Sequence, residues 1–200
     1  MSGPHVIGLT GSIGMGKTTT ADLFREAGVP VFDADAAVHA LYGPDGAMVP
    51  VLRAVFPDAV RDGAVDRARL SEHLRADPFH LEVLESFVHP LVGERRAEFL
   101  DAHADAPMVV LDVPLLLETG GEAHVDSVLV VTAPPEVQRA RVLARPGMSA
   151  ARFEALLARQ MPDAAKRERA DIVISTENGI ADARAQVQSV LESLGVGSDD

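Results

Sequence analysis

The sequence predicts an α/β fold: a parallel five-stranded sheet with helices on both faces. Three observations predict it. Short, nearly continuous apolar runs rich in β-branched residues recur along the 200 residues, as expected of strands buried on both faces. Segments with helical periodicity separate them. About 75 residues lie between the second and third runs, far more than one crossover helix needs. The strands are expected at His5–Thr10 (HVIGLT), Val29–Phe32 (VPVF), Met108–Asp112 (MVVLD), Ser127–Thr132 (SVLVVT) and, more weakly, Asp171–Ser175 (DIVIS). Helices are expected over Lys17–Ala27, in several pieces across 35–104, and over Pro135–Ala144, Ala150–Gln160 and Ile180–Leu194. The long gap carries turn signals at Gly43-Pro44, Phe56-Pro57, Asp62-Gly63 and Asp77-Pro78. It reads as a helical insertion over the edge of the sheet. The expected organisation is therefore a core from residues 1–33 and 105–200, an insertion over 34–104, and a polar tail from Gly195 to Asp200 that frays.

Composition bounds the function. There is no cysteine, hence no disulfide framework, thiolate zinc site or cysteine nucleophile. No apolar run approaches the ~20 residues of a membrane span. The start MSGPHVIGLT lacks the basic residues and long apolar stretch of a secretory leader. A cytoplasmic protein without a membrane partner is expected. The net charge of -12 argues against general affinity for nucleic acid. With no Trp and one Tyr, a platform for stacking single-stranded bases is not expected. Charge is unevenly spread, however. Residues 138–170 hold seven arginines and Lys166 against Glu154, Asp163 and Glu168, a net +5 that leaves -17 elsewhere.

Residues 11–18 read GSIGMGKT, which matches G-x-x-x-x-G-K-[ST] between an expected strand and an expected helix. The glycines let backbone N–H groups turn inward onto phosphate oxygens. The helix beginning near Lys17 points its positive end at the anion. Lys17 is placed to reach the β- and γ-phosphates, and the Thr18 hydroxyl to ligate magnesium. Gly11, Ser12, Ile13, Gly14, Met15, Gly16, Lys17 and Thr18 are thus the candidate ATP-binding residues, in a three-layer α/β/α fold of the phosphate-loop NTPase type. One of the chain's two lysines sits inside this loop.

Phosphate loops serve GTPases, motors and kinases. The single asparagine, Asn178, is followed by Gly179, so the Asn-Lys-x-Asp needed for guanine is absent. The size and the insertion after the second strand fit a small-molecule kinase whose insertion forms the acceptor site. The second strand runs into Asp33-Ala34-Asp35, at the carboxyl end where open α/β sheets bind ligands. Asp33 is placed to take the proton of an acceptor hydroxyl, although either Asp33 or Asp35 could instead cap a helix beginning near Ala36. Gln138, Arg141 and Arg145 share a helical face. The break at Pro146-Gly147 and the helix after it describe a lid over about 141–160 that closes on phosphates. The seven histidines show no metal-ligand spacing.

The motifs GLTGSIGMGKTTTA (8–21), VFDADAAV (31–38), DGAVDRARL (62–70), LEVLESFVHPLV (81–92) and VVLDVPLLLE (109–118), with the Gln138-x-x-Arg141-x-x-x-Arg145 helix, Gln160 and Ala170-Asp171, follow in one order. In that order the chain resembles the bacterial dephospho-CoA kinases from about residue 5 to 194. The resemblance implies ATP-dependent phosphorylation of the ribose 3′-hydroxyl of dephospho-CoA, the last step of coenzyme A synthesis. It implies a nucleotide core, a helical CoA-binding domain and a lid; a monomer or weak homo-oligomer is expected. By motif position Asp33 resembles the family's catalytic base, and Arg141 and Arg145 its phosphate-contacting arginines. His89 and the segment Asp112, Pro114, Leu115, Leu116 to Leu117 fall along the acceptor site. Asp112 is also open as a magnesium-side carboxylate. Ser12 and Met15 stand where the family usually has Gly and Ser. ISTENG (174–179) is one residue longer than usual, which leaves Thr176 and Asn178 both open as the adenine contact.

Overall fold

The computed structural model describes residues 3–77 and 79–195. Pro78 and the tail beyond Gly195, where a turn and a frayed end were expected, lie outside them. The chain divides into two compact units, Met1–Phe32 with His103–Asp200, and Asp33–Ala102.

The first unit begins with β1 (His5–Thr10) and α1 (Lys17–Glu26). α1 ends in a Schellman turn: Gly28, at φ +83°, donates to Arg25 O, and Val29 N–H reaches Phe24 O at 3.0 Å. Val29 is spent on this turn, so β2 (Val31–Asp33) starts two residues later than the apolar run predicts. After α2, α3, β3, β4, α4 and α5 of the second unit come β5 (Met108–Asp112), β6 (Ser127–Thr132), α6 (Pro135–Leu143), α7 (Ala150–Leu157), α8 (Asp163–Glu168), β7 (Ile172–Ser175) and α9 (Ile180–Ser193). The predicted runs at β1, β5 and β6 match residue for residue.

The sheet order is β2-β5-β1-β6-β7. β1 pairs in parallel with β5 (Val6 opposite Val109) and with β6 (Leu9 opposite Leu129), and β6 with β7. The chain passes from β1 to β2 on one side and from β5 to β6 on the other, so the crevice beyond the carboxyl end of β1 is the switch point where such sheets bind ligands. Alternate residues feed two buried layers. Ile7, Leu9, Leu129, Val131 and Ile174 pack with Phe24 of α1 and Val187 and Leu191 of α9. Val128 and Val130 face Leu116 and Leu117. Gly8 makes the second layer possible. A Cβ there would stand 2.6 Å from Leu116 Cδ2, so the absent side chain lets the 113–118 segment lie against the strand.

The second unit comprises α2 (Ala34–Leu41), α3 (Met48–Val55), the short strands β3 (Val60–Arg61) and β4 (Ala64–Val65), α4 (Arg67–Ala76) and α5 (Phe79–Ala102). Its own core gathers Leu41, Met48, Leu52, Phe56, Leu70, Leu84 and Val88. Asp62 and Gly63, both at positive φ, make the two-residue turn of a hairpin where the sequence pointed to a plain turn. Two residues per strand are too few to show a periodicity.

Candidate active site

Gly11 to Thr18 bridge β1 and α1, and sterics dictate their residue types. A Cβ on Gly11 would meet Val131 O at 2.7 Å. On Gly14, at φ +80°, it would meet Val142 Cγ2 at 2.4 Å. Gly16, at φ +95°, offers α1 no side-chain cap, and the first turn of α1 holds no acidic residue. Its exposed end is left positive, ready for an anion. Met15 points inward instead, almost fully buried, and its Sδ lies 3.1 Å from the Ala133 nitrogen. Ser12 is buried too, and its Oγ has no protein partner among the described residues. The side chains of Ser12 and Met15, the two departures from the usual types, are therefore both buried. Thr18 stands exposed in the first turn of α1.

Lys17 Nζ donates to Asp112 Oδ1 at 2.5 Å, and the Asp112 side chain is 5 % exposed. Asp112 ends β5, the strand beside β1. The carboxylate thus holds the lysine extended toward the carboxyl ends of the strands. The segment after Asp112 is held from below. Val113 N–H donates to Leu9 O, and Pro114 O accepts from Thr10 Oγ1 at 3.0 Å. Pro114 is half-buried, Leu115 is exposed, and Leu116 is packed in the core. Of these predicted acceptor-site residues, Leu116 presents no side chain to a ligand.

A buried ion pair anchors the end of this segment. Lys166 of α8 is fully buried and its Nζ lies 2.8 Å from Glu118 Oε1, which also accepts from Met161 N–H. Burial pushes the Glu118 carboxyl up, but the hydrogen bonds from Lys166 and the Met161 N–H, with the lysine's charge, hold it below the ordinary value. A depressed carboxyl stabilises the fold fully above its unfolded value, and the contribution is lost as pH falls through the lower folded value. Glu118→Gln is expected to cost about 3 kcal/mol at neutral pH by leaving the Lys166 charge buried and unopposed. The gap to the parent should narrow below about pH 4. Thermal melts from pH 7 to 3 check this, and a gap constant over that range would refute it.

Arg141 leaves α6 to donate to Thr176 twice, to Oγ1 and to the carbonyl, each at 2.7 Å. Thr176 Oγ1 donates to Met15 O at 2.8 Å, and its side chain lies against Gly16. Arg141 and Lys17 are thus both brought to the loop. Arg145 is not on the same helical face, contrary to the expectation. α6 stops at Leu143, and Arg145 lies exposed in the turn before Gly147. Thr176 is buried, whereas Asn178 is exposed in the turn before α9.

In the second unit, Asp33 is the N-cap of α2, and its Oδ1 accepts from Ala36 N–H at 2.8 Å. The helix begins at Ala34, so Asp33 and not Asp35 is the cap; Asp35 lies inside the first turn. His89 is exposed on α5, beside Pro90, which that helix absorbs in its interior. No group of three His, Asp or Glu side chains placed to hold a metal occurs among the described residues. Sequence reasoning missed the Lys166–Glu118 pair. The rarity of lysine was its only signal.

A parallel sheet with this loop at its switch point, bearing lysine, hydroxyl and a tethered arginine, defines a phosphate-loop kinase. The family model described as dephospho-CoA kinase matches residues 5–182. The chain belongs to the dephospho-CoA kinase family. It is 55% identical over 190 residues to the dephospho-CoA kinase of Rhodopseudomonas palustris strain HaA2, covering 94% of each chain. It is 56% identical over 191 residues to that of Cereibacter sphaeroides, covering 96% of each. The crystal structure of TT1252 from Thermus thermophilus superposes with a TM-score of 0.86 at 37% identity, covering 98% of this chain and 100% of that one. The dephospho-CoA kinase from Campylobacter jejuni, at 22% identity and TM-score 0.67, covers 96% of this chain and 97% of its own and shares the fold.

Proposed function

We propose that this chain transfers the γ-phosphoryl group of ATP to the ribose 3′-hydroxyl of dephospho-CoA, giving coenzyme A and ADP. The observation that carries the reading is the phosphate loop with Lys17 ion-paired to Asp112, inside a chain whose residues 5–182 match one kinase family. The unit Met1–Phe32 with His103–Asp200 serves as the nucleotide core and Asp33–Ala102 as the acceptor-binding unit. Backbone N–H groups of Gly11 to Thr18 hold the phosphates. Lys17 exchanges part of its bond to Asp112 for phosphate oxygen. Thr18 Oγ1 would be the protein contact to magnesium, which when bound neutralises charge on the phosphates.

Asp33 accepts the proton as the acceptor hydroxyl attacks the γ-phosphorus, and the bond from that phosphorus to the β–γ bridging oxygen breaks. The cap occupies Oδ1 and fixes the carboxylate, which suits a group whose Oδ2 must be aimed. Arg141, tethered on Thr176, supplies charge to the transferring group, and Arg145 and the lid over 141–160 close on it. Asp112, Pro114 and Leu115 are assigned to the acceptor, with Leu116 holding the backbone beneath; within the acceptor-binding unit, His89 is assigned to it as well. Because Thr176 is consumed by Arg141 and Met15, the exposed Asn178 is assigned to the adenine edge. The enzyme works in the cytoplasm as a monomer or weak homo-oligomer.

Incubation with ATP, magnesium and dephospho-CoA is expected to yield ADP and coenzyme A in equal amounts. No product at saturating substrate, or preferential phosphorylation of AMP or CMP, overturns the assignment.

A further inference from the structure

Two glutamines from different parts of the chain grip one residue of the phosphate loop. Gln138, buried on α6, donates from Nε2 to the Ile13 carbonyl at 2.8 Å. Gln160, just past α7, accepts through Oε1 from the Ile13 N–H at 3.0 Å. The partners fix both amide orientations, since a carbonyl only accepts and a backbone N–H only donates. α6 also backs the next loop residue closely: a Cβ on Gly14 would stand 3.1 Å from Gln138 O. Between the glutamines, α7 is tied to α6 by the Arg139–Glu154 ion pair at 2.7 Å and by Arg139 lying over the Phe153 ring.

We propose that Gln138 and Gln160 are positioning residues that hold the phosphate loop in its nucleotide-accepting shape and join it to both ends of the 139–159 segment. The inference rests on the ATP-site reading of this loop. A glycine-rich loop has much conformational freedom to lose when it closes on phosphate. Bonds that restrain it beforehand reduce what binding must spend on ordering. Neither glutamine is placed at the reacting atoms, so the effect falls on ATP affinity rather than on the chemical step. The two positions also differ in what they require. Residue 160 must accept and residue 138 must donate.

Gln160→Ala is expected to raise the KM for ATP about five- to tenfold, with kcat within about twofold and the KM for dephospho-CoA unchanged. Glutamate at either position adds the same charge near the loop. Gln160→Glu keeps the acceptor, whereas Gln138→Glu turns a carboxylate onto the Ile13 carbonyl. The rise in ATP KM should therefore be at least about threefold larger for Gln138→Glu. Amide exchange of Ile13, followed by NMR without nucleotide, should quicken in Gln160→Ala. That readout needs no substrate and still judges the restraint if the parent protein makes no coenzyme A. Thermal melts show whether the buried site at 138 tolerates its variant, and Gln160 variants carry the test if it does not. Unchanged Ile13 exchange in Gln160→Ala, or equal KM shifts for the two glutamate variants, overturns the proposal.

Discussion

Asp33→Asn is expected to lower kcat by about 10²–10⁴ while leaving ATP affinity within about twofold. The choice of asparagine matters. Asp33 Oδ1 caps α2 by accepting from Ala36 N–H, and asparagine caps a helix about as well as aspartate. The carbonyl oxygen of the amide keeps the cap, so α2 stays in place and only the proton acceptor is removed. Asp33→Ala would remove both, adding about 1 kcal/mol of lost capping that blurs the result. The measurement is steady-state turnover beside nucleotide titration and a thermal melt. Near-parental turnover in Asp33→Asn would show that the carboxylate serves the helix alone.

Lys17→Met is expected to lower kcat/KM by about 10³, through lost charge on the β- and γ-phosphates. It should also lower stability, and the structure says why. The Asp112 carboxylate that Lys17 engages is almost fully buried at the end of β5. Replacing Lys17 removes an ion-pair partner from this buried carboxylate. The double variant Lys17→Met with Asp112→Leu tests the coupling. It should regain stability relative to Lys17→Met and regain no activity. If Lys17→Met melts with the parent, the ion pair contributes nothing to the fold. If it keeps more than a tenth of the parent's kcat/KM, the lysine's assignment to the phosphates fails.

Much of the nucleotide core was legible because its signals are local. Strands buried on both faces must be apolar without interruption, so β1, β5 and β6 announce themselves in five or six residues each. The loop is legible for a steric reason: Gly11, Gly14 and Gly16 stand where a Cβ meets backbone or packed side chains. Boundaries shifted where a turn competed with an apolar run. Val29 is the instance, apolar enough for a strand but taken by the end of α1. Arg145 is another, in register with Arg141 by helical spacing yet past the point where the helix stops.

By itself the sequence determined the fold class, the phosphate loop, the kinase family and the carboxylate at the end of the second strand. Only the tertiary structure decided the polar partnerships. Glu118 meets Lys166, Arg141 meets Thr176, and Gln138 and Gln160 meet Ile13 across separations of 35 to 147 residues. The physical reason is one of range. Hydrophobic periodicity and glycine sterics are properties of neighbours along the chain, written wherever the local residues sit. A buried polar group must find one partner at hydrogen-bond distance, and topology alone determines which distant residue that is.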